Sequence, residues 1–440
     1  MEVAVLLGSF FALVLLGLPI AVSLGGATMI AAYTLSPIPL AIVGQKLFSN
    51  LDHFTLMAVP FFFFAAALME SGGLVRRLVG LANAMVGHLR GGLGMTTVLA
   101  CIFFAAISGS SPATVAAVGN LMYPALLKEG YTKRYAIGAL ATAGSIGILI
   151  PPSIPMILYG FITETSIVAM FIAGLVPGLI YGGLMMIVAR VLARKEGHAV
   201  REKATGKEFS AALRQSLPAL SLPVFIVIGI YGFPEMEIGD MYLDGGAIFT
   251  PTEAAVMSSL LAIIVGRLVY KELTLRDFGN AIIISSARVG TIFWIAVNAI
   301  MFGYFVTKLG IPAIITEYII SLNLEPWQFL LVVNVVLVII GFFLEGVPTI
   351  LIFVPILFPA AQAMGIDPVH FGIIVVVNIE LGLITPPVGL NLFVGASISG
   401  MSVVSVFRAT LPWMIATIIT LGLVTYIPAI SLFLPSFMKF

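Results

Sequence analysis

The sequence predicts an all-α polytopic membrane protein made of two related halves of inverted topology, each with a re-entrant helical hairpin and a broken helix. Three observations support this fold class. The 440 residues are 60% hydrophobic and only 9% charged, which leaves too little polar surface for a water-soluble globule. Apolar runs of bilayer-spanning length recur from end to end. Glycines and prolines repeat at a spacing of 235 residues.

Composition also excludes several function classes. A net charge of +1 argues against a nucleic-acid partner, and Cys101, as the one cysteine, excludes an internal disulfide. The four histidines and the single cysteine provide no metal cluster or nucleophile pattern, so we expect no enzyme. The first apolar run, Val3 to Leu18, lacks a basic segment and a cleavage site, and we interpret it as a retained span. We therefore expect the protein to be embedded in the lipid bilayer.

Charge orients the middle of the chain. Seven of the 21 basic residues lie in one loop, which is expected in the cytoplasm: Arg190, Arg194, Lys195, Arg201, Lys203, Lys207 and Arg214. The next loop carries Glu235, Glu237, Asp240 and Asp244 and is expected on the opposite side. Basic residues return at Arg267, as two crossings require.

The block from Arg90 to Arg134 has basic residues at both ends and two apolar pieces joined by SGSSPAT, Ser108 to Thr114. Two short spans with an outside turn would explain this pattern. We favour a re-entrant hairpin, because its small, polar, uncharged tip suits backbone that lines a buried site.

The 235-residue spacing pairs special residues throughout the two halves. The matches are Thr114 with Thr349, Pro124 with Pro359, Gly130 with Gly365, Gly147 with Gly382, Pro151 and Pro152 with Pro386 and Pro387, Gly160 with Gly395, and Pro177 with Pro412. Equivalent loops differ in charge, since KEGYTKR is basic whereas AMGIDPVH has no lysine or arginine. Opposite charge preference indicates an inverted repeat, an arrangement that is common in secondary transporters.

Each half contains a Pro-Pro pair inside an apolar run. Proline has no N–H, so the first pair frees the carbonyls of Gly147 and Ile148, and the second frees those of Gly382 and Leu383. Such carbonyls at the end of a broken half-helix form an oxygen site suited to Na⁺. The alternative is a kink whose carbonyls are satisfied by neighbouring side chains and water.

The two expected tips offer further oxygens: Ser108, Ser110, Ser111 and Thr114 in the first, and Glu345, Gly346 and Thr349 in the second. The alternative is that these small residues only pack two helices together.

Glu345 and Glu380 are ionisable residues within apolar runs and are functional candidates for that reason. They would bind a second cation, relay a proton, or pair structurally with Arg288 or Arg408. Glu253 follows a proline at a helix start, so we expect it to cap that helix.

Four motifs together resemble the large membrane subunit (DctM-like, M subunit) of tripartite ATP-independent periplasmic (TRAP) transporters: SGSSPATVAAVG, GILIPPSIPMILYG, GIDPVHFGIIVVVNIELGLITPPVGLNLF and FTPTEAA. The resemblance spans most of the chain in the expected order. It implies an elevator-type symporter of the bacterial inner (cytoplasmic) membrane, with a mobile transport domain and a scaffold. It also implies Na⁺ coupling.

Carried over by position, the resemblance implies two Na⁺ sites and a substrate site. The first ion site would use Ser108, Ser110, Gly147, Ile150 and Pro152, and the second Gly346, Gly382, Thr385 and Pro387. Ser111, Thr114, Thr349 and Asn391 would contact the substrate, an organic acid such as a C4-dicarboxylate or a sialic acid.

The resemblance further implies two partners, a periplasmic substrate-binding protein (P type) and a small four-helix membrane subunit (Q type). We expect the small subunit to be a separate polypeptide, because the chain begins directly with the large-subunit pattern. The alternative function is a stand-alone Na⁺/carboxylate symporter of related inverted-hairpin architecture, which needs no binding protein.

These expectations divide the chain into seven segments. They are scaffold helices of repeat 1 (1–40), a helix and cytoplasmic arm (50–90), hairpin 1 with its broken helix and the following helix (91–190), the basic cytoplasmic loop (191–214), scaffold helices of repeat 2 (215–275), a helix and arm (280–326), and hairpin 2 with its broken helix and the last helix (327–435).

Overall fold

The structure is a computed structural model that describes residues 2–34, 44–45, 48–49, 51–198, 200–232, 236–238, 241–243 and 247–437. The helices of the first half are α1 (Glu2–Leu15), α2 (Ile20–Thr34), α3 (Ala58–Ser71), α4 (Leu74–Val86), α5 (Gly92–Ser108), α6 (Ser111–Lys128), α7 (Lys133–Ala143), α8 (Ile154–Thr163) and α9 (Ile167–Lys195). Those of the second half are α10 (Gly206–Tyr231), α11 (Pro251–Ile263), α12 (Leu275–Lys308), α13 (Ile311–Ser321), α14 (Pro326–Phe343), α15 (Gly346–Ala363), α16 (Pro368–Leu383), α17 (Leu390–Ser399) and α18 (Val403–Tyr426), followed by a short α19 (Pro428–Leu432).

Eight helical segments within the described ranges are long and apolar enough to cross a bilayer. The chain is therefore a multi-pass membrane protein, as the composition predicted. Its interior holds few charged side chains, and the largest apolar cluster joins residues of both halves, including Phe104, Tyr159, Phe171, Phe371 and Trp413.

The internal repeat is visible in the way the helices pack. Helices α1 to α9 correspond in order to α10 to α18. Contacts between the halves are exchanged symmetrically: α2 packs on α12 as α11 packs on α3, and α6 packs on α17 as α15 packs on α8. Such reciprocal contacts are what a pseudo-two-fold axis between two repeats produces, and the predicted two-half construction is confirmed.

The predicted hairpins are present in both halves. Helix α5 ends at Ser108 and α6 begins at Ser111, and the turn uses Gly109 in the left-handed conformation at φ 60°. Ser108, Gly109 and Ser111 are buried, so this tip lies within the protein. Helices α14 and α15 repeat the arrangement around Leu344 and Glu345. A tip enclosed by protein favours the re-entrant hairpin over an outside turn between two spans.

The predicted helix breaks are also present, but the two differ. In the first half α7 ends at Ala143, a 3₁₀ segment covers Gly144–Ile148, and α8 begins at Ile154. In the second half α16 stays α-helical to Leu383, and α17 begins at Leu390. Two glycines in the 3₁₀ segment weaken the α-helix there, whereas the equivalent stretch of α16 before the second break contains only Gly382. Both Pro-Pro peptide bonds are cis.

Glu253 caps α11 as predicted. Its carboxylate accepts hydrogen bonds from the backbone N–H of Thr250 at 2.8 Å and from the Thr250 hydroxyl at 2.9 Å, while the Thr250 hydroxyl accepts from the Glu253 N–H. This reciprocal capping box satisfies N–H groups that the first turn of a helix leaves free.

A two-stranded antiparallel pair, Met236–Ile238 and Met241–Leu243, departs from the all-α prediction. It lies in the loop expected to face away from the cytoplasm. Of the acidic residues predicted there, Glu235, Asp240 and Asp244 lie outside the described residues, as do residues 35–40 of the first predicted segment.

Candidate functional site

Each hairpin tip lies against the break of its own repeat. The N–H of Ile154, which begins α8, donates to the carbonyl of Gly109 in the first tip at 3.4 Å. In the second half the N–H of Val388 donates to the carbonyl of Phe342 at 3.1 Å. In each half, the hairpin tip and the helix break both leave backbone groups outside regular helices. These hydrogen bonds place the two irregular segments side by side within the membrane-spanning part of the protein.

The first tip and break form an oxygen cluster. The hydroxyls of Ser108 and Thr114 lie 2.9 Å apart, and the Thr114 hydroxyl donates to the carbonyl of Ser110 at 2.9 Å. Gly147 faces this cluster so closely that a Cβ there would lie 2.6 Å from the Thr114 hydroxyl and 2.9 Å from the Ser110 carbonyl oxygen. The Pro152 carbonyl oxygen is directed at the tip, since it would lie 2.7 Å from a Cβ on Gly109. Hydroxyl and carbonyl oxygens of this kind are ligands for hard cations.

The structure thus brings together Ser108, Ser110, Gly147 and Pro152 of the first predicted ion site. The Ile150 side chain packs instead toward Gly178 of α9, leaving only its backbone for the break. Thr114, which was expected near the substrate, belongs to this oxygen cluster.

The second tip repeats the same geometry. The Thr349 hydroxyl donates to the carbonyl of Glu345 at 2.9 Å, the same distance as its counterpart from Thr114 to Ser110. A cavity of about 10 Å³ lies beside it, lined in part by Glu345, Gly346, Thr349 and Gly382. That volume corresponds to about one water molecule or one small ion.

The remaining second-site residues, Thr385 and Pro387, are not among the residues that line this cavity. Thr385 is almost completely buried, its hydroxyl donates to the Leu381 carbonyl at 2.7 Å, and its N–H donates to the Gly382 carbonyl at 3.1 Å. Pro387 is exposed. The structure therefore groups Gly346 with Gly382 in the cavity wall, whereas Thr385 lies three residues after Gly382 in the chain and outside that wall.

Two of the carbonyls that lose their helical N–H partner at the prolines accept a hydrogen bond from another donor. The Ile148 carbonyl accepts from the Ser153 hydroxyl at 2.5 Å, and the Gly382 carbonyl accepts from Thr385. For Ile148 the structure therefore corrects the expectation of an unsatisfied carbonyl, because Ser153 caps α8 and reaches back across the break. A carbonyl has two lone pairs, so Ile148 and Gly382 each keep one acceptor position.

A hydrogen-bonded link crosses between the two repeats. Ser111 at the start of α6 donates to the side-chain carbonyl of Asn391 in α17 at 2.9 Å, and the Asn391 amide lies 2.7 Å from the Ser111 hydroxyl and 3.0 Å from the Ala141 carbonyl. Asn391 is fully buried by these contacts. It therefore holds the first tip against the second broken helix.

A larger cavity of about 330 Å³ lies between the two tips. Its wall includes Ser110 and Ser111 of the first tip, Glu345 and Gly346 of the second, and Arg288 of α12. Of the four residues expected at the substrate, only Ser111 lines this cavity. Thr349 borders the small cavity, and Thr114 and Asn391 lie behind the tip.

Arg288 is the one basic side chain on the wall of this cavity within the described chain. The sequence had indicated Arg288 only as a pairing partner for a glutamate. An ionisable residue in an apolar helix was the signal that could have marked it as a site residue.

The structural pairing considered for the two glutamates is contradicted. Among the described residues, neither Glu345 nor Glu380 forms an ion pair with Arg288 or Arg408. Arg288 interacts electrostatically with Glu70 of α3 instead. Glu345 lines both cavities, whereas Glu380 is completely buried elsewhere.

Two inverted repeats, paired tips and breaks, and a central cavity define the class of membrane proteins to which secondary transporters belong. The family profile described as "Tripartite ATP-independent periplasmic transporter, DctM component" matches residues 7–430. The chain belongs to this family, as the motifs indicated. The family consists of transporter permease subunits, so the prediction that the chain is not an enzyme is confirmed.

Individual relatives agree with this placement. The chain is 44% identical over 416 residues to the C4-dicarboxylate TRAP transporter large permease protein DctM of Pseudomonas aeruginosa, covering 94% of each chain. It is 40% identical to the protein of that name from Rhodobacter capsulatus, covering 99% of each. The crystal structure of the Alcanivorax borkumensis YdaH transporter, reported to have an unusual topology, matches with a TM-score of 0.58 at 14% identity over 88% of each chain, which supports the fold alone.

Proposed function

We propose that this protein is the large membrane subunit of a TRAP transporter that moves a C4-dicarboxylate, or a related small organic acid anion, across the bacterial inner membrane by Na⁺ symport. The observation that carries the proposal is the 330 Å³ cavity, which joins both hairpin tips to Arg288. Two relatives of at least 40% identity are named as C4-dicarboxylate transporter subunits.

The cavity has the properties expected of an anion site. Its volume lies at the lower end of the range for small-molecule sites, and its wall is mostly apolar with a few polar groups. The guanidinium of Arg288 would bind one carboxylate through two parallel hydrogen bonds. Ser110 and Ser111 would donate hydrogen bonds to the same substrate from the first tip. A carboxylate that binds here would lose its hydrogen bonds to water and gain hydrogen bonds to the Arg288 guanidinium and to the two serine hydroxyls.

Sodium is proposed as the co-transported cation. The oxygen cluster around Ser108 and Thr114 and the small cavity beside Gly346 both adjoin the central cavity through their hairpin tips. The first is built from hydroxyl and carbonyl oxygens, and the second adds the Glu345 carboxylate; such oxygens suit a hard monovalent cation.

Glu345 offers an electrostatic reason for coupling. Its position in the walls of both cavities sets a negative charge beside the place where the anion would bind. A sodium ion in the small cavity would offset this charge, so the substrate anion would bind more tightly after sodium has bound. Sodium leaving on the cytoplasmic side would weaken anion binding again and release the substrate.

The proposed assembly has three components. The family to which the chain belongs supports a small four-helix membrane subunit and a periplasmic binding protein as partners. We propose that the hairpins and broken helices move as a transport domain against a scaffold formed by α1, α2, α10, α11 and the partner subunit, in an elevator motion. The stand-alone symporter remains the alternative candidate, and the partner requirement separates the two.

The test is uptake of radiolabelled succinate into proteoliposomes under an inward sodium gradient, with and without the two partner proteins. We expect uptake only with all three components and with sodium. Arg288→Ala should reduce uptake at least about tenfold, and Arg288→Lys, which retains the charge without the planar fork, should lose less. Sodium-driven uptake by the single chain would favour the stand-alone symporter, and equal uptake by wild type and Arg288→Ala would contradict the anion site.

A further inference from the structure

Asn378 of α16 carries a buried oxygen that the proposed function leaves unexplained. The residue is 1% exposed, and its side-chain Oδ1 has no hydrogen-bond partner among the residues that the structure describes. A buried amide oxygen of this kind costs free energy unless an ion or a water molecule interacts with it. Asn378 also lies in the wall of the small cavity, together with Glu345 and Gly382. The cavity is therefore the place to look for the missing partner.

The orientation of the Asn378 amide is fixed by its nitrogen. Nδ2 donates to the Ile374 carbonyl at 2.9 Å and to Oδ1 of Asn334 in α14 at 2.8 Å. A backbone carbonyl can only accept, so the opposite orientation would set the Asn378 oxygen against the Ile374 oxygen and lose that hydrogen bond. The nitrogen therefore faces Ile374, and the oxygen points elsewhere.

Helix geometry places the Asn378 oxygen on the side of the small cavity. Ile374 lies one turn before Asn378 in α16, whereas Gly382 of the cavity wall lies one turn after it. Along α14, Asn334 likewise comes before Gly341, which is also in the cavity wall. Both partners of the nitrogen thus lie at one end and the cavity at the other. Because nitrogen and oxygen leave the same carbon atom in different directions, the oxygen lies toward the cavity.

Two other helices hold this amide in place. Asn334 accepts from Asn378 through Oδ1, and its own Nδ2 donates to the hydroxyl of Thr425 in α18 at 2.9 Å. Asn334 and Thr425 are both buried. An oxygen that is already fixed in one orientation loses little conformational freedom when it binds a ligand.

This polar chain is absent from the first repeat. At the spacing of 235 residues, Leu99 is equivalent to Asn334, and Ala143 is equivalent to Asn378. Both equivalents are apolar, so the shared architecture does not require amide side chains at these positions. The chain is therefore specific to the second repeat, which contains the small cavity.

We propose that the side-chain oxygen of Asn378 binds the sodium ion of the second site directly. The proposal rests on the proposed function, which places sodium in the small cavity, and it adds a ligand that the sequence did not indicate. Side-chain amide oxygens are hard ligands of the kind that such cations take. Because Asn378 is neutral, one sodium ion still offsets the single charge of Glu345, as the proposed coupling to the substrate anion requires.

The test is the melting temperature of the purified chain as sodium replaces choline at constant ionic strength and pH. All variants are made in a Ser110→Ala background, which weakens the first site. Asn378→Leu has a similar volume and no oxygen, so the midpoint of the sodium response should move to a concentration about tenfold higher or more. Asn378→Asp retains an oxygen at this position and should need no more sodium than Ser110→Ala alone.

Thr420→Val in the same background is the matched control. Thr420 is buried in α18, its hydroxyl donates to the Ala416 carbonyl at 2.8 Å, and it lines neither cavity. We expect this variant to lower the melting temperature equally in choline and in sodium and to leave the midpoint unchanged. A purely structural role of Asn378 would give the same result for Asn378→Leu.

An unchanged midpoint in Asn378→Leu would overturn the proposal and leave the second sodium site standing. The absence of any sodium response in Ser110→Ala alone would instead contradict the second site itself, and the Asn378 ligand with it. If Asn378→Leu does not fold, Asn378→Ser takes its place, because a serine hydroxyl in a helix bonds the carbonyl one turn earlier, as Thr385 does. An unchanged midpoint in Asn378→Ser would then overturn the proposal.

Discussion

Ser110 and Glu345 occupy equivalent positions in the two tips, and each backbone carbonyl accepts a hydrogen bond from a threonine at 2.9 Å. Their side chains differ in charge. The first tip presents neutral hydroxyls to its break, whereas the second presents a carboxylate. The two proposed sodium sites should therefore differ in affinity, with the second held more strongly by charge.

Gly147→Ala tests the first site directly. The added Cβ would lie 2.6 Å from the Thr114 hydroxyl, so the oxygen cluster must shift to admit it. We expect the stabilisation by sodium to be lost or strongly weakened in this variant. Gly80→Ala is the matched control, because a Cβ on Gly80 in α4 meets nothing within 4 Å. The same sodium response in Gly147→Ala and Gly80→Ala would contradict a site at this position.

Glu345→Gln tests the proposed coupling. Without the negative charge, anion binding should depend less on sodium, because sodium no longer has a carboxylate to offset. We expect the ratio of substrate affinities with and without sodium to fall by about tenfold or more, in line with common coupling energies. Binding of radiolabelled succinate to the purified complex measures this ratio. A ratio equal to that of wild type would show that Glu345 does not couple the two sites.

Residue types at the tips and breaks could be predicted from the sequence, since Pro-Pro pairs and small polar residues are local signals. The direction in which each side chain points could not be predicted from the sequence. Thr114 and Asn391 were assigned to the substrate, yet both lie behind the first tip, because the phase of α6 and α17 relative to the cavity depends on packing between the repeats. The sequence did not predict that Arg288 lines the central cavity, since α12 has no break or repeat motif near it.

At the scale of elements, the two helix breaks occupy equivalent positions in the two repeats but differ in backbone geometry, because their local sequences differ. Gly144 and Gly147 lie in the 3₁₀ segment that leads into the first break, while the second break follows a continuous α-helix. The prolines predicted the breaks and their symmetry. They did not predict this difference, nor the short strand pair after α10, which forms in a loop that the hydropathy pattern describes only as polar.

Helix α11 offers a test of local stability. Thr250→Ala removes the hydroxyl of the capping box, and we expect a loss of about 1 kcal/mol in the free energy of unfolding. Glu253→Gln retains a hydrogen-bond acceptor and should lose less. Chemical or thermal unfolding in detergent measures both. A larger loss for Glu253→Gln than for Thr250→Ala would mean that Glu253 has a role besides capping.

At the scale of the whole molecule, charge placement predicts orientation. Lys203 and Ala247 are exposed near opposite ends of α10, whose 26 residues extend about 39 Å and so exceed the thickness of the hydrocarbon core. In a Cys101→Ala background, Lys203→Cys should react with an impermeant thiol reagent only from the cytoplasmic side. Ala247→Cys should react only from the other side. Labelling of both from one side would contradict the predicted topology.

The central claim is that the two helix breaks hold sodium, and the most direct test is the melting temperature of the purified protein in NaCl and in KCl at equal ionic strength. Wild type should be stabilised specifically by sodium, by about 2.7 kcal/mol when sodium exceeds its dissociation constant about 100-fold. Ser110→Ala and Thr385→Ala should each weaken this response. Identical melting curves in the two salts for wild type would contradict the claim.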